Sequence, residues 1–262
     1  MPAEDVRPEP EIEHAFDRLV AEGRERLERP FLALMSTGLL GGIDVGTGVL
    51  AYLVVLEHTG DKVLAGLAFS IGFVALLLAR SELFTENFLV PVTAVIARHG
   101  RWSALGRLWG TTVVTNLVGG LLMMWILMTA RPDLHAAAIE AGTHYADLGV
   151  NLESLCLAIL AGAVITLMTR MQHATESLGV NLVPAVLFGA LLAGGQLFHC
   201  ILDSLLMFAA MIAGADFGVG TWLVAFLWSA LGNMIGGIGL VTAIRLLRVP
   251  RRLEEARATG NR

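Results

Sequence analysis

Long apolar runs separated by short polar punctuation fill the chain from about position 30 to 247. Crossing a bilayer as a helix takes about 20 mainly apolar residues. Four runs meet that length directly, at 30–56, 105–128, 152–168 and 221–247. Two more, 63–97 and 178–213, are too long for one straight span. Each carries a polar interruption, "RSELFTEN" in the first and "FHCILDS" in the second. The pattern predicts an all-α membrane protein of six spans, with the second and fifth each split into a longer and a shorter half.

Ahead of the first span, Ile12, Phe16, Leu19 and Leu27 recur at helical spacing opposite a charged face. This predicts an amphipathic helix within residues 1–29, packed on the membrane-facing end of a six-helix domain at 30–247. The same 29 residues are acidic and lack an apolar run, so no cleavable leader is expected. Residues 248–262 read as a basic tail.

Two sets of three spans, each with its split member in the middle, must insert in opposite senses. Such inverted 3+3 repeats with discontinuous helices place a transport site near mid-membrane. Irregular backbone is tolerated at that depth only where protein buries it or it lines a cavity. Glycines support close helix approach, as in "STGLLGGIDVGTG" and at Gly232 and Gly236.

Composition agrees with a membrane location. The chain is 55% hydrophobic and 16% charged, against roughly 25% charged in an average soluble domain; its mean hydropathy is +0.69. No basic stripe suggests nucleic acid. Cys156 and Cys200 lie inside apolar segments and read as small buried hydrophobes rather than a disulfide. No HExxH run or Ser/His protease pattern appears, so neither an enzyme nor a metal or cofactor site is expected.

Charge sets the orientation. With six spans, fifteen of the basic residues fall on the side of the two termini, and only Lys62 and Arg131 on the other. Both termini are therefore expected to be cytoplasmic. Arg80 is left within the membrane, beside Glu82 and Glu86.

Several stretches, in order, resemble the formate/nitrite transporter family. "ELFTENFLV" is similar to its signature in the split second span. "GRWSALGRLWGTTVVTNLVGGLLMMW", with the Asn-Leu-Val-Gly core at 116–119, resembles its third. "LESLCLAILAG" resembles the fourth, "LFHCILDSL" the split fifth, and "LGNMIGGIGLV" the sixth. The resemblance implies a homopentamer of aquaporin-like protomers in a bacterial-type inner membrane. Each protomer would have its own pore for small monovalent weak acids such as formate or nitrite, often carried with a proton. It marks His199 as the central histidine and Thr85 as its polar partner. Asn116 and Asn233 would hold the unwound backbone, and Leu83, Phe84, Phe69, Phe73 and Leu192 would form apolar constrictions. Half-helix N-termini would offer free N–H groups to an anion, and the imidazole would lend a proton at the narrowest point.

The chain also departs from that family pattern, in the manner of its divergent YfdC-like branch. Asp203 replaces an asparagine four residues after the histidine. At that spacing it can face the ring and would hold it as a persistent cation. Glu86 and Arg80 replace small residues, and Asp44 adds a carboxylate to the first span. Ala146 stands where a vestibule lysine is usual, among Glu140, His144, Asp147 and Glu153. These acids raise a second reading, a pore for small cations, and a competing one in which Arg80 pairs internally with Glu82 or Glu86.

Overall fold

The computed structural model describes residues 10–260. Among them every regular element is helical. An amphipathic α1 (Pro10–Glu28) precedes α2 (Phe31–Thr59) and α3 (Lys62–Ala79). A 3-10 turn (Phe84–Phe88) leads into the short α4 (Val90–Ile96), and α5 (Trp102–Ala130) follows. Next come α6 (His135–Asp147), α7 (Leu152–Gln172), α8 (Leu178–Gly194) and α9 (Cys200–Ala213). The last rod begins as α10 (Val219–Met234), widens to a π-helix (Ile235–Ala243) and ends as α11 (Ile244–Leu247); α12 (Pro250–Thr259) lies beyond it. Among the described residues five helices are long and apolar enough to cross a membrane: α2, α3, α5, α7 and the Val219–Leu247 rod. The α8 and α9 helices are shorter apolar pieces.

Local chemistry sets the helix ends. Gly60 takes the left-handed conformation (φ 65°) that closes α2, and its N–H reaches the Leu56 carbonyl at 2.8 Å. One residue on, the Asp61 carboxylate accepts the N–H groups of Val63 and Leu64 and starts α3. Asn151 and Ser154 form a reciprocal capping box at the start of α7.

The helices that precede the polar interruptions close in a common way. At the end of α3, Arg80 has φ 53° and Ser81 N–H returns to the Leu76 carbonyl at 3.1 Å. At the end of α8, Gln196 has φ 48° and Leu197 N–H returns to the Leu192 carbonyl, also at 3.1 Å. These are Schellman-type closures made without glycine.

Packing relies on close approach. A methyl group on Gly42 would strike the Asn116 carbonyl of α5, and one on Gly162 would strike the Asn233 carbonyl of α10. The outward faces stay apolar, with Leu67, Leu121, Leu160, Leu187 and Leu227 exposed on the surface.

Three elements differ from the sequence expectation. The α6 helix was not anticipated: it buries Ala138, Ala141 and Tyr145, and sets Gly142 against Leu206 and Ala210 of α9. The basic tail forms α12, tied to α1 by Arg252–Asp17 hydrogen bonds of 2.7 and 2.9 Å. Cys156 is exposed and only Cys200 is buried. Lipid is as apolar as a protein core, so the surrounding sequence could not tell the two thiols apart.

Gly42→Ala and Gly162→Ala are each expected to cost about 1–3 kcal/mol through overpacking, read as a lower unfolding temperature of the detergent-solubilised protein. Gly239→Ala, at a position with open space, should shift stability by less than about 0.5 kcal/mol. An equal response at all three positions would refute this packing account.

Candidate functional site

The segments that follow α3 and α8 meet in the interior. Thr85 Oγ1 lies 2.9 Å from His199 Nε2, and both residues are fully buried. Each segment is held by an asparagine. Asn116 of α5 donates to the carbonyls of Gly38 (2.7 Å) and Glu82 (2.9 Å) and accepts the Phe84 N–H at 2.8 Å. Asn233 of α10 donates to Ala158 (2.8 Å) and Phe198 (2.9 Å) and accepts the Cys200 N–H at 3.0 Å. Each amide serves one carbonyl and one N–H that the non-helical stretch leaves without helical partners, and its remaining N–H anchors it to a carbonyl of the continuous helix α2 or α7.

His199 is itself the N-cap of α9. Its Nδ1 accepts the Leu202 N–H at 3.1 Å. That nitrogen therefore carries a lone pair, and the ring's single proton sits on Nε2, where it is donated to Thr85. The imidazole is thus held in one neutral tautomer. Asp203 does not meet the ring, contrary to the expectation from its spacing. Its Oδ2 accepts the His199 backbone N–H at 2.6 Å, while Oδ1 is buried with no hydrogen-bond partner. The i, i+4 relation allows either geometry, and the extended backbone of the N-cap residue turns its N–H towards the carboxylate. Free N–H groups for an anion are correspondingly scarce, since those of Phe84, His199, Cys200 and Leu202 are all taken by side chains.

The apolar residues expected near this contact belong to one buried core. Phe69 and Phe73 of α3 pack edge to face at 5.2 Å, and Leu83 and Leu192 are fully buried. Phe84 packs edge-on against Phe88 at 5.1 Å and Trp109 at 6.3 Å, while Trp109 Nε1 donates to the Asn87 carbonyl.

On the α1 side of the contact lies a cavity of about 660 Å³, lined by Arg18, Glu22, Arg26, Arg29, Arg80 and Glu86 among others. The buried Glu82 carboxylate is met at 3.0 Å by Arg29 Nη1 and at 3.8 Å by Arg26 Nε. Arg80 is exposed at the end of α3 and forms no ion pair with Glu82 or Glu86, which corrects the pairing expected from their proximity. Asp44 is half-buried with Oδ2 lacking a partner. Arg26 also donates to the Asn87 side chain at 3.2 Å, so α1 reaches into the site. Sequence reasoning missed Arg26, Arg29 and Asn87. Arg26 lies on the charged face of α1 and Arg29 just past its end, and no local signal points from them to Glu82.

On the opposite side, Lys62 bridges Glu140 at 3.7 Å, while Asp147 and Glu153 are exposed and Ala146 is partly buried. The His144 ring packs on Tyr145 at 4.9 Å, and Tyr145 stacks on Phe198 at 6.0 Å.

A helical membrane protein with two unwound segments clamped together around a buried hydroxyl–imidazole contact has the construction of a transport channel. The sequence profile described as formate/nitrite transporter matches residues 13–247, and the chain belongs to that family. It is 28% identical over 231 residues to the inner membrane protein YfdC of Escherichia coli (strain K12), covering 82% of this chain and 72% of that protein. It is 25% identical over 207 residues to the formate channel FocA of the same organism, covering 74% and 70%. Among solved structures, a pentameric formate channel with formate bound superposes with a TM-score of 0.70 at 21% identity, covering 83% of this chain and 96% of that one. An FNT family ion channel gives a TM-score of 0.80 at 16% identity, covering 90% and 99%. At these identities the two superpositions speak to the fold.

Two outcomes follow from the site's bonding. Asn116→Ala or Asn233→Ala strands two backbone groups of a non-helical segment, and a loss of about 1–3 kcal/mol per buried group left unsatisfied is expected, visible in thermal unfolding. The second concerns Glu22, whose carboxylate meets His173 Nε2 at 2.8 Å and Arg26 at 2.6 Å. Burial pushes this carboxyl up, but the His173 hydrogen bond and the Arg26 charge outweigh it and hold it at about 2, below the ordinary 4.5. A depressed acid stabilises the fold fully above its unfolded value and loses that contribution as pH falls through the folded one. The protection of α1 amides, relative to their intrinsic exchange rates, should therefore fall as pH drops from about 4.5 towards about 2. The Glu22→Gln variant should show loosened α1 amides already at neutral pH.

Proposed function

We propose that the chain passes small monovalent weak acids, formate and nitrite first among them, through a pore in each protomer of a homopentamer, with Thr85 and His199 at its narrowest point. The observation that carries this reading is the buried 2.9 Å Thr85–His199 hydrogen bond between the two unwound segments. The protomer is read as six spans in an inverted 3+3 repeat, split in its second and fifth members, with both termini cytoplasmic. The duplicated closures at Arg80 and Gln196 and the duplicated clamps of Asn116 and Asn233 support that repeat. The pentamer draws its support from the formate-bound structural neighbour, which is itself pentameric. Phe69, Phe73, Leu83, Phe84 and Leu192 act as the apolar constrictions on either side.

A bare ion at mid-membrane costs several kcal/mol, and side chains already occupy most of the N–H groups that would solvate an anion. The Thr85 hydroxyl accepts from His199 and has its own proton left to donate, which suits a permeant crossing as the neutral acid. A cation pore is the weaker reading, because Glu82 is neutralised by Arg29 and Asp203 is turned to backbone.

Proteoliposomes supply the test. Formate and nitrite uptake should exceed that of protein-free vesicles, and Thr85→Val should reduce it at least tenfold with the pentamer intact. Wild-type uptake no faster than the lipid background would overturn the reading.

A further inference from the structure

His199 is poorly placed to exchange protons. A second proton on Nδ1 would point at the Leu202 N–H and undo the cap of α9; loss of the first, at Nε2, would leave an imidazolate and break the contact with Thr85. Proton traffic at this ring therefore costs the hydrogen bonds that hold the two unwound segments in place.

Asp203 has no such conflict. The residue is 2% exposed, its Oδ2 is fixed on the His199 N–H, and its buried Oδ1 has no backbone partner, with the Tyr145 hydroxyl of α6 beside the carboxylate. Among the described residues no arginine or lysine pairs with it. The titratable groups around it are Tyr145 on α6, Tyr52 on α2 and its own neighbours His199 and Cys200, with Glu140 acting on Tyr52. The α10 helix carries no titratable side chain, and α5 carries only Arg107, bound to the carbonyls of Leu27 and Arg29. A carboxyl group held by one backbone N–H and otherwise facing only the Tyr145 hydroxyl can bind and release a proton without undoing the cap of α9 or the Thr85 contact.

We infer that Asp203 Oδ1, and not the imidazole, carries the proton that accompanies the permeant. This rests on the weak-acid transport proposed above. In the transfer, the O–H bond at Asp203 Oδ1 breaks and a new one forms on a carboxylate oxygen of formate. The formic acid passes the Thr85–His199 contact and loses its proton to water on the far side. Hydronium from the entry side restores the Asp203 acid, so one proton and one formate cross together with no net charge. The transient carboxylate faces the N-terminus of α9, whose dipole favours negative charge.

Vesicles loaded with a pH-sensitive dye and given a gradient of labelled formate read protons and formate in the same experiment. Wild type should acidify the lumen in step with formate entry, above the protein-free background and without a membrane current. Asp203→Asn keeps an oxygen acceptor for the His199 N–H but cannot carry a proton. Its ratio of acidification to formate entry should fall at least tenfold, and the residual flux should become voltage-dependent. His199→Asn retains an acceptor for the Leu202 N–H; its flux should drop while the proton-to-formate ratio holds. A wild-type ratio in Asp203→Asn, or a lost ratio in His199→Asn, overturns this assignment and leaves weak-acid transport standing. Wild-type vesicles that pass no formate at any pH overturn transport itself, and the assignment with it.

Discussion

Non-helical backbone buried inside a protein has no water to turn to, and each unpaired N–H or C=O there costs several kcal/mol. The asparagine clamps answer that constraint. Asn116 and Asn233 each satisfy one N–H and two carbonyls, and each ties an unwound segment to two neighbouring helices in doing so. The rest of the site follows from those six bonds. Once Phe198 and Cys200 are pinned by one amide, His199 between them can only serve as an N-cap, and its ring is delivered to Thr85.

Helix packing and the clamps depend on each other. Gly38 and Ala158 give their carbonyls to the two asparagines, while Gly42 and Gly162, one turn further on, let α5 and α10 approach closely enough for those bonds to close. A side chain at either glycine would push the helix axis outward and take the amide with it. Small residues in lipid thus act here at a distance from their own contacts, by setting the reach of a polar side chain on the facing helix.

Much of this was legible in the sequence. Two polar strings inside apolar runs fall at the non-helical stretches that follow α3 and α8, because charges and a histidine are too costly in lipid to be casual. Other features were not legible, for physical reasons. The stretch that forms α6 is alanine-rich with little polar contrast, and its burial comes from Gly142 fitting against α9, a long-range event. The charged face of α1 has the pattern of a solvated surface, whereas Arg29, just past its end, reaches a carboxylate 53 positions away. For Asp203 the spacing points to residue 199 as its partner, but the choice between ring and backbone turns on the conformation of that single residue.

The two thiols now have an unlooked-for use. Cys156 lies open on the outer face, while Cys200 is sealed one residue from the imidazole, its N–H bound by Asn233. A membrane-permeant alkylating reagent would reach the first from the surface and the second only while the interior parts, so the native chain carries both a reporter of opening and its internal standard.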